Sequence, residues 1–372
     1  MRKYLSITLL VVLCLLSCVR VSAQEAVSVS ASAYVLYCVD NGMVLAGSNI
    51  HTQMGMASTT KIMTALLALE EAQTSDRIVE FTKDMVAEGS SMYLKAGDRV
   101  HLSDLAAGMM TVSGNDAANA AAVAIGGSKE GFALLMNKRA SEIGMNNTNF
   151  VTPSGLSDPE HYSTAYDMAL LMSVALKNKA FAELTAKKSV TVDFEYPQDQ
   201  QVTYYNHNRL LSSYDYCTGG KTGYTISTGR CLVTSAFHDG LTLIAVTLND
   251  RNDWADHKAL YEYGFSQFKA VGDFTDVTYT VPVAGADKDS VQVGTDSTSK
   301  AVMSTEDAEN VRCRVYLTPM VFAPVTKGEV LGCVVYTLES EVVLKYDLVA
   351  LEEAQPLECN RLLRFFYQLF QR

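Results

Sequence analysis

Two groups of strand-like segments, separated by a long helical stretch, most strongly constrain the fold of the first 270 residues. β-Favouring runs stand at residues 33–39 and return after about residue 189, whereas residues 103–177 are largely helical and rich in alanine. Asn41-Gly42 and Asp239-Gly240 predict tight hairpin turns, which join antiparallel strands. We therefore predict an α/β fold in which one antiparallel sheet is built from distant segments, is flanked by helices and is accompanied by a helical subdomain.

Changes in composition along the 372 residues predict four parts. Residues 1–23 have the pattern of a secretory signal, with two cations before an apolar run and small residues at its end. Residues 24–270 are expected to form the main domain. Residues 275–355 hold short β runs between polar turns and predict a small all-β C-terminal domain. Residues 357–372 predict an amphipathic helix.

The leader implies that the mature protein is exported. A second processing route stays open, because Leu15-Leu16-Ser17-Cys18 resembles the box at which bacterial lipoproteins are cut and lipidated on cysteine. Removal of residues 1–23 takes away three cations and no acid, so the mature chain is more acidic than the net charge of −11 indicates. An acidic exported protein is a poor candidate for binding nucleic acid.

The cysteines and histidines have no pattern of a metal site. Six cysteines lie outside the leader at wide spacing and without a C-x-x-C pair, which favours buried thiols with room for one disulfide. The six histidines are scattered without ligand spacing, so surface or packing roles are expected. We predict neither a metal nor a cofactor.

The last segment has an apolar face of leucine and phenylalanine and a polar face that carries Arg361, Arg364 and Arg372. Two interpretations stay open for such a helix. It docks on its own domain, or it lies on a membrane surface, which the basic face favours. We predict a peripheral membrane contact through this helix.

Ser58-Thr59-Thr60-Lys61 opens a predicted buried helix that runs to about residue 72 without glycine or proline. Ser58 and Lys61 share one helix face, with Cβ atoms roughly 5–6 Å apart, so a neutral lysine can take the proton of the serine. Lowering a lysine pKa to near 7 costs roughly 4–5 kcal/mol, which burial and a second cation at Lys221 can supply together. The S-x-x-K pattern alone is weak, since Ser297-Thr298-Ser299-Lys300 repeats it in a polar stretch.

Ser113-Gly114-Asn115 lies at a predicted break between helices, where Gly114 lets the backbone approach a ligand closely. Ser113 is a candidate proton relay between the lysine and a leaving amine, and the amide of Asn115 can hold both a substrate carbonyl and the lysine. The same residues, with Asp116, also make a good helix N-cap, and the motif in isolation favours that alternative.

Lys221-Thr222-Gly223 lies in a predicted strand. Lys221 and Thr222 offer a cation and a hydroxyl to a terminal carboxylate, and Gly223 is expected to leave room for a substrate strand at the sheet edge. The backbone N–H groups of Ser58 and Tyr224 are the predicted oxyanion donors. A polar strand end before a turn is the structural alternative.

In this order the three motifs resemble those of the serine-type D-Ala-D-Ala carboxypeptidases, the low-molecular-mass penicillin-binding proteins of the penicillin-binding and β-lactamase superfamily. The similarity spans about residues 31–265 and extends to the layout of the later β domain and the tail. It implies a β-lactamase/transpeptidase-like fold and removal of the terminal D-alanine from peptidoglycan pentapeptide stems, without a cofactor. It also implies penicillin sensitivity and a location on the outer face of the cytoplasmic membrane or in the cell wall.

The resemblance implies a role for each motif residue. Ser58 is expected to be the acylated nucleophile and Lys61 the general base. The second wall of the site and the substrate-binding strand are expected to comprise Ser113, Asn115, Lys221, Thr222, Gly223 and Tyr224. Arg251 resembles a family arginine near the substrate carboxylate. Peptidoglycan stem peptides and β-lactams are the expected partners of this site.

Three departures from the family pattern bear on rate and specificity. Thr152-Pro153-Ser154-Gly155-Leu156 stands where relatives often carry Asn-Pro-His-Gly-Leu or its Asp form. Cys38 replaces a polar residue of the first strand. Gly220 stands where a bulky aliphatic residue is common, and it is expected to loosen the strand that carries Lys221.

Two other functions share these motifs. A β-lactamase needs a base that hydrolyses the acyl-enzyme rapidly, but no Glu-x-x-Leu-Asn signature follows Ser113, and Glu160 lies in a predicted loop. A catalytically weak scaffold that binds peptidoglycan would require a broken motif, whereas all three motifs are intact.

Overall fold

The computed structural model describes residues 27–272 and 277–357. The predicted secretory leader, its alternative cleavage at Cys18 and residues 358–372 of the predicted tail helix lie outside these ranges, as does Cys359. The five cysteines within the ranges are free thiols. None of the helices described there is both long and apolar enough to cross a lipid bilayer.

Nine α-helices lie in the described ranges. They are α1 (Lys61–Thr74), α2 (Leu102–Thr111), α3 (Asn115–Gly126), α4 (Lys129–Ile143), α5 (Ala165–Ala175), α6 (Lys179–Thr185), α7 (Leu210–Ser213), α8 (Asp253–Gln267) and α9 (Thr305–Asn310). Ala57–Thr60 and Lys83–Met85 are short 3-10 helices. The helix predicted to start at Ser58 therefore begins as a 3-10 turn and continues as α1, whose alanine and leucine side chains are largely buried.

Strands alternate with these helices and then dominate the last third of the chain. They are β1 (Ala33–Cys38), β2 (Val44–Ser48), β3 (Ile78–Glu80), β4 (Arg99–His101), β5 (Ser189–Asp193), β6 (Gln201–Tyr205), β7 (Cys217–Thr225), β8 (Gly229–His238), β9 (Leu241–Leu248), β10 (Phe268–Val271), β11 (Tyr279–Ala284), β12 (Ser290–Gly294), β13 (Ala301–Ser304), β14 (Arg312–Leu317), β15 (Val321–Phe322), β16 (Val330–Leu338) and β17 (Glu341–Ala350).

The main sheet has five strands in the order β2-β1-β9-β8-β7, and every neighbouring pair is antiparallel. Helices α1 and α5 share an apolar core with one face of this sheet, around Val35, Val233 and Val246. Helix α8 covers the opposite face, where Leu260 packs near Leu36. The predicted α/β fold with an antiparallel sheet between helices is thus confirmed. Strand β7, which carries Lys221, lies at the edge of the sheet.

Two details of the main domain differ from the sequence prediction. Strands β5 and β6 do not join the main sheet but form a separate hairpin, because the buried Val192 and Tyr204 pack into the helical core instead. The first hairpin turn is longer than Asn41-Gly42 alone, and only Gly42 of that pair has a positive φ, +74°. At the other predicted turn, Asp239 and Gly240 both have positive φ and close β8 onto β9 directly.

The later strands form a second, all-β sheet in the order β14-β16-β17-β12-β11-β15. Its apolar core, which includes Val291, Val334 and Leu348, is separate from that of the main sheet. Strand β10 leaves helix α8 and pairs antiparallel with β13. The boundary predicted between residues 270 and 275 falls at the end of β10 and in the undescribed residues 273–276, and it stays a prediction.

Candidate active site

The nucleophile candidate Ser58 lies in the 3-10 turn before α1 with a partly exposed side chain. Ala57, which precedes it, has a φ of +49°, in the left-handed region that residues other than glycine rarely adopt. Such strain persists only where the surrounding structure holds it. Gly155 packs so closely against this turn that a Cβ at position 155 would lie 1.9 Å from the carbonyl oxygen of Ala57. The loop around Gly155 therefore holds the nucleophile turn in position.

Lys61 lies beside the serine and is completely buried. Its Nζ lies 3.0 Å from Ser58 Oγ, 2.6 Å from Asn115 Oδ1 and 2.7 Å from the carbonyl oxygen of Ser154. A neutral amine has two N–H groups and one lone pair. When these two N–H groups donate to Asn115 Oδ1 and to the carbonyl oxygen of Ser154, the lone pair of the Lys61 amine faces the hydroxyl of Ser58, as a general base requires.

The electrostatic surroundings favour this neutral form. Burial lowers the pKa of Lys61 well below its ordinary value, the positive charge of Lys221 lowers it further, and the carboxylate of Asp116 opposes the shift. Burial also lowers the pKa of Lys221, to about 7. The two mechanisms expected from the sequence, burial and a second cation, both act on the Lys61 amine, and burial is the larger.

The second wall of the site is formed where α2 ends and α3 begins. Ser113 lies in this break with a φ of +61°, again in the left-handed region. The Asn115 side chain donates from Nδ2 to the carbonyl oxygen of Glu88 at 2.6 Å, which directs its Oδ1 toward Lys61. The N-cap residue of α3 is Gly114, and no side chain caps that helix. The motif therefore does not serve as a side-chain N-cap, the alternative that its sequence favoured in isolation.

Asp116, which the sequence suggested only as part of a helix N-cap, stabilises this wall. Its buried carboxylate accepts hydrogen bonds from Ser91 Oγ at 2.6 Å and from the backbone N–H groups of Met92 at 2.9 Å and Leu94 at 3.1 Å. The backbone N–H of Asn115 donates to the carbonyl oxygen of Ser90 at 2.7 Å. Helix α3 and the loop at residues 88–94 are thereby tied together.

Strand β7 supplies the third side of the site. Lys221 is buried, and its Nζ donates to the carbonyl oxygen of Thr222 at 2.8 Å. Gly223 has a different purpose from the one predicted. A Cβ there would lie 2.9 Å from the carbonyl oxygen of Met56 and 3.1 Å from the backbone nitrogen of Ser58, so the missing side chain makes room for the nucleophile turn rather than for a substrate strand. Tyr224 is exposed beside it.

The prediction that Gly220 loosens strand β7 is wrong. Gly220 has a φ of +149°, and a Cβ there would lie 2.4 Å from the carbonyl oxygen of Val233, so an aliphatic residue does not fit this backbone. The hydroxyl of Thr185 accepts from the Gly220 N–H at 2.8 Å and donates to the Gly220 carbonyl at 3.3 Å. The strand is thus anchored directly before Lys221.

These elements enclose a cavity of about 420 Å³, which we call the serine cavity. Its lining includes the predicted residues Ser58, Ser113, Thr222, Gly223 and Tyr224. Lys61 and Asn115 lie behind it, in contact with each other as described above. Ser58 and Tyr224, whose N–H groups are the predicted oxyanion donors, therefore border one space.

Three basic residues that the sequence prediction missed also line the serine cavity, His207, Arg209 and Arg230. Burial and the positive charge of Lys221 lower the pKa of His207 and so favour its neutral form. Arg230 forms a two-pronged ion pair with Asp253, with its closest contact at 2.7 Å, and its guanidinium lies 5.9 Å from the ring centre of Trp254. Arg251 does not line the cavity; its side chain is exposed on the loop before α8. No sequence motif marks His207, Arg209 and Arg230, because only folding brings them to the cavity beside strand β7.

The second S-x-x-K copy has no such surroundings. Ser297 lies in the irregular segment between β12 and β13, and Lys300 donates from Nζ to the carbonyl oxygen of Gly240 at 2.9 Å. Within residues 27–272 and 277–357, no group of histidine, cysteine and acidic side chains is arranged to hold a metal ion. The chemistry that the serine cavity supports is attack of an activated hydroxyl on a carbonyl group.

Comparison with known proteins agrees with this geometry. Residues 19–252 match the family model "D-alanyl-D-alanine carboxypeptidase", and residues 265–355 match "Penicillin-binding protein 5, C-terminal domain". The chain is 34% identical to D-alanyl-D-alanine carboxypeptidase DacC of Escherichia coli, over 89% of this chain and 86% of that protein. It is 31% identical to DacF of Bacillus subtilis, over 87% and 85%.

Solved structures resemble the chain over a similar extent. Penicillin-binding protein 5 of Haemophilus influenzae is 28% identical, with a TM-score of 0.65 over 88% of this chain and 98% of that structure. Penicillin-binding protein 6B of Escherichia coli is 26% identical, with a TM-score of 0.66 over 89% of this chain and 98% of that structure.

Proposed function

Since the chain belongs to the D-alanyl-D-alanine carboxypeptidases, the serine-type low-molecular-mass penicillin-binding proteins, we propose that Ser58 carries out this hydrolysis through an acyl-enzyme. The observation that carries the proposal is the 3.0 Å contact between Ser58 Oγ and the buried Nζ of Lys61. Lys61 takes the hydroxyl proton while Ser58 Oγ attacks the carbonyl carbon of the penultimate D-alanine. The N–H groups of Ser58 and Tyr224 stabilise the oxyanion.

The tetrahedral intermediate then expels the terminal D-alanine. Its amine nitrogen takes a proton from Lys61 through the hydroxyl of Ser113, and the C–N bond breaks to leave an ester on Ser58. In the second half, water attacks this ester, Lys61 accepts a proton of the water, and Ser58 Oγ leaves with that proton. The completed cycle consumes one water, releases one D-alanine and returns the enzyme to its starting form.

The substrate carboxylate binds at the cationic end of the serine cavity. The hydroxyl of Thr222 lines the cavity, and the amine of the neighbouring Lys221 donates to the Thr222 carbonyl. The guanidinium of Arg209 adds positive charge at the cavity wall, where the Arg230–Asp253 ion pair also lies. β-Lactams carry a carboxylate beside a reactive amide carbonyl and fit the same arrangement, so we expect the enzyme to be sensitive to penicillin.

We further propose that the enzyme acts on peptidoglycan stem peptides after export, at the outer face of the cytoplasmic membrane or in the cell wall. The cationic segment and apolar run within residues 1–23 support export. The apolar and basic faces predicted for residues 357–372 support a peripheral contact with the membrane. Liposome sedimentation of the mature chain with and without these last residues tests that contact.

Labelling with fluorescent penicillin tests the acyl-enzyme. Wild-type protein and Ser297→Ala, which removes the serine of the second S-x-x-K copy, are expected to be labelled equally, and Ser58→Ala not at all. An unlabelled wild type or a labelled Ser58→Ala variant overturns the assignment. The adduct lifetime separates the alternatives, because minutes or longer fit a carboxypeptidase, whereas milliseconds fit a β-lactamase. Glu160 is exposed and does not line the serine cavity, which argues against the β-lactamase.

A further inference from the structure

His161 is a buried histidine that takes no part in the proposed mechanism. It lies at the end of residues 151–161, which we call the Gly155 loop. This loop makes two contacts with the site: the carbonyl oxygen of Ser154 accepts from Lys61 Nζ at 2.7 Å, and Gly155 packs against the nucleophile turn. The position of the Gly155 loop relative to helix α1 therefore affects both the nucleophile and its base.

The hydrogen bonds of the His161 ring fix which nitrogen carries the proton. The backbone N–H groups of Val151 and Thr152 donate to Nδ1 at 2.9 and 3.3 Å. A ring nitrogen that accepts hydrogen bonds carries no proton, so the proton of the neutral imidazole is on Nε2. Burial favours this neutral form, because it lowers the pKa of His161 to about 4. The ring thus accepts on one side and donates on the other.

The donating side of the ring reaches the nucleophile turn. His161 Nε2 lies 2.8 Å from Oγ1 of Thr60, which is completely buried and directly precedes Lys61. Loss of either partner leaves the other polar group buried without its hydrogen bond, which is costly. His161 therefore joins the Gly155 loop to the short segment between the nucleophile Ser58 and its base.

Two further hydrogen bonds hold the Gly155 loop to the same face of α1. One is the bond from Lys61 to Ser154, and in the other Thr64 Oγ1 donates to the carbonyl oxygen of Pro153 at 2.6 Å. Thr60 and Thr64 are four residues apart, so their side chains share a face of the helix. These two bonds fix the middle of the loop, whereas the His161 ring links both of its ends to the nucleophile turn.

We propose that His161 is a positioning residue, which holds the Gly155 loop against Thr60 so that the Ser58 hydroxyl and the Lys61 amine keep their 3.0 Å contact. This inference rests on the proposed function, since it concerns the same reaction. His161 does not line the serine cavity, so it acts through its neighbours and not on the substrate. Misalignment of the hydroxyl and the amine slows proton transfer, and its loss therefore lowers kcat rather than raising KM.

A double-mutant cycle between His161 and Thr60 tests the inference. His161→Asn keeps an acceptor for the N–H of Val151 but is too short to reach Thr60, and Thr60→Val removes the hydroxyl and keeps the branched shape. The assay is D-alanine release from Nα,Nε-diacetyl-L-lysyl-D-alanyl-D-alanine. We expect each variant to lower kcat by about tenfold, with KM changed by less than about twofold. The double variant should also lose about tenfold rather than about 100-fold, because both changes remove the same hydrogen bond.

His257→Asn and Thr234→Val are the matched controls. His257 is also completely buried, and its Nδ1 lies 2.7 Å from the hydroxyl of Thr234. This pair lies between β8 and α8, on the opposite face of the main sheet from α1. The control variants lose a buried hydrogen bond of the same kind, so their melting temperatures should fall as those of the His161 and Thr60 variants do. Their kcat should stay at the wild-type value, because the nucleophile turn is not touched.

The outcomes separate the inference from the proposed function. A wild-type kcat in both His161→Asn and Thr60→Val overturns the inference and leaves the carboxypeptidase assignment intact. Losses that multiply in the double variant, or an equal loss of kcat in the controls, overturn it as well. If His161→Asn does not fold, Thr60→Val decides alone, and a wild-type kcat in that variant overturns the inference. A wild-type enzyme that releases no D-alanine overturns the proposed function, and the inference with it.

Discussion

Replacement of Gly223 by alanine should slow acylation of Ser58 without unfolding the protein. The added Cβ would lie 3.1 Å from the backbone nitrogens of Ser58 and Thr59 and 2.9 Å from the carbonyl oxygen of Met56. All three atoms belong to backbone, so the nucleophile turn must retreat by at least a few tenths of an ångström. The hydroxyl then leaves its 3.0 Å contact with Lys61 Nζ.

The expected rate loss follows from the sensitivity of catalysis to position. A misplacement of about 1 Å costs about 100-fold in rate, so we expect acylation by fluorescent penicillin to slow by about 10- to 100-fold. Overpacking lowers the free energy of unfolding by about 1–3 kcal/mol. The smaller conformational freedom of alanine in the unfolded chain offsets about 0.5–1 kcal/mol of this loss. The melting temperature should therefore fall by only a few degrees.

Gly294→Ala is the matched control, because Gly294 is also a strand glycine but lies in the second sheet. A Cβ there would meet only side-chain ends, the methyl groups of Leu351 at 3.2 and 3.6 Å and of Thr278 at 3.6 Å. Its acylation rate constant should equal that of the wild type. A Gly223→Ala variant that is acylated at the wild-type rate would refute the packing argument, as would an equal loss of rate in both variants.

Three further outcomes depend on titratable groups. Burial lowers the pKa of Lys221 to about 7, and in the proposed mechanism its charge binds the substrate carboxylate. The kcat/KM should therefore decline above about pH 7, measured as D-alanine release from pH 6 to 9, and a flat profile argues against that role. Burial lowers the pKa of His161 to about 4, so between pH 6.5 and 4 the unfolded chain binds a proton at this residue and the folded chain does not. The free energy of unfolding should therefore fall by about 3 kcal/mol over this range. His161→Asn should show a shallower fall in urea titrations. Ser30 Oγ lies 2.7 Å from both Asp250 and Asp256, and burial raises the pKa of Asp250. The protonated Asp250 carboxyl therefore stabilises the fold at low pH, and this contribution is lost as the pH rises. Asp250→Asn should gain more stability relative to the wild type at pH 8 than at pH 4, and an equal difference at both pH values contradicts this interpretation.

Much of the fold was predictable because its signals are local. The helix that follows Ser58, the hairpin at Asp239-Gly240 and most strands of the second sheet arise from periodicity and turn residues within short windows. The separate position of the β5–β6 hairpin was not predictable in this way. Its pattern is that of any strand pair, and only the fit of Val192 and Tyr204 into the helical core decides where it packs.

The glycines illustrate the same limit within the site. From the sequence of the strand alone, Gly220 suggested a looser backbone and Gly223 suggested room for a substrate. In the structure, the carbonyl of Val233 leaves no room for a side chain at position 220, and the nucleophile turn at Ser58 leaves none at position 223. Both neighbours lie in other segments of the chain, so no local pattern around these positions indicates them.

The sequence by itself determined which residue types meet at the site, because the three motifs and their order specify a hydroxyl, an amine, an amide and a second cation. It also determined that helix, helix break and strand carry them. Only the tertiary structure decided the surroundings: that His207, Arg209 and Arg230, rather than Arg251, line the serine cavity, and that burial lowers the pKa of Lys61 more than the charge of Lys221 does. The physical reason is that burial and electrostatic coupling depend on distances through space, and these are set by packing between segments far apart in the chain.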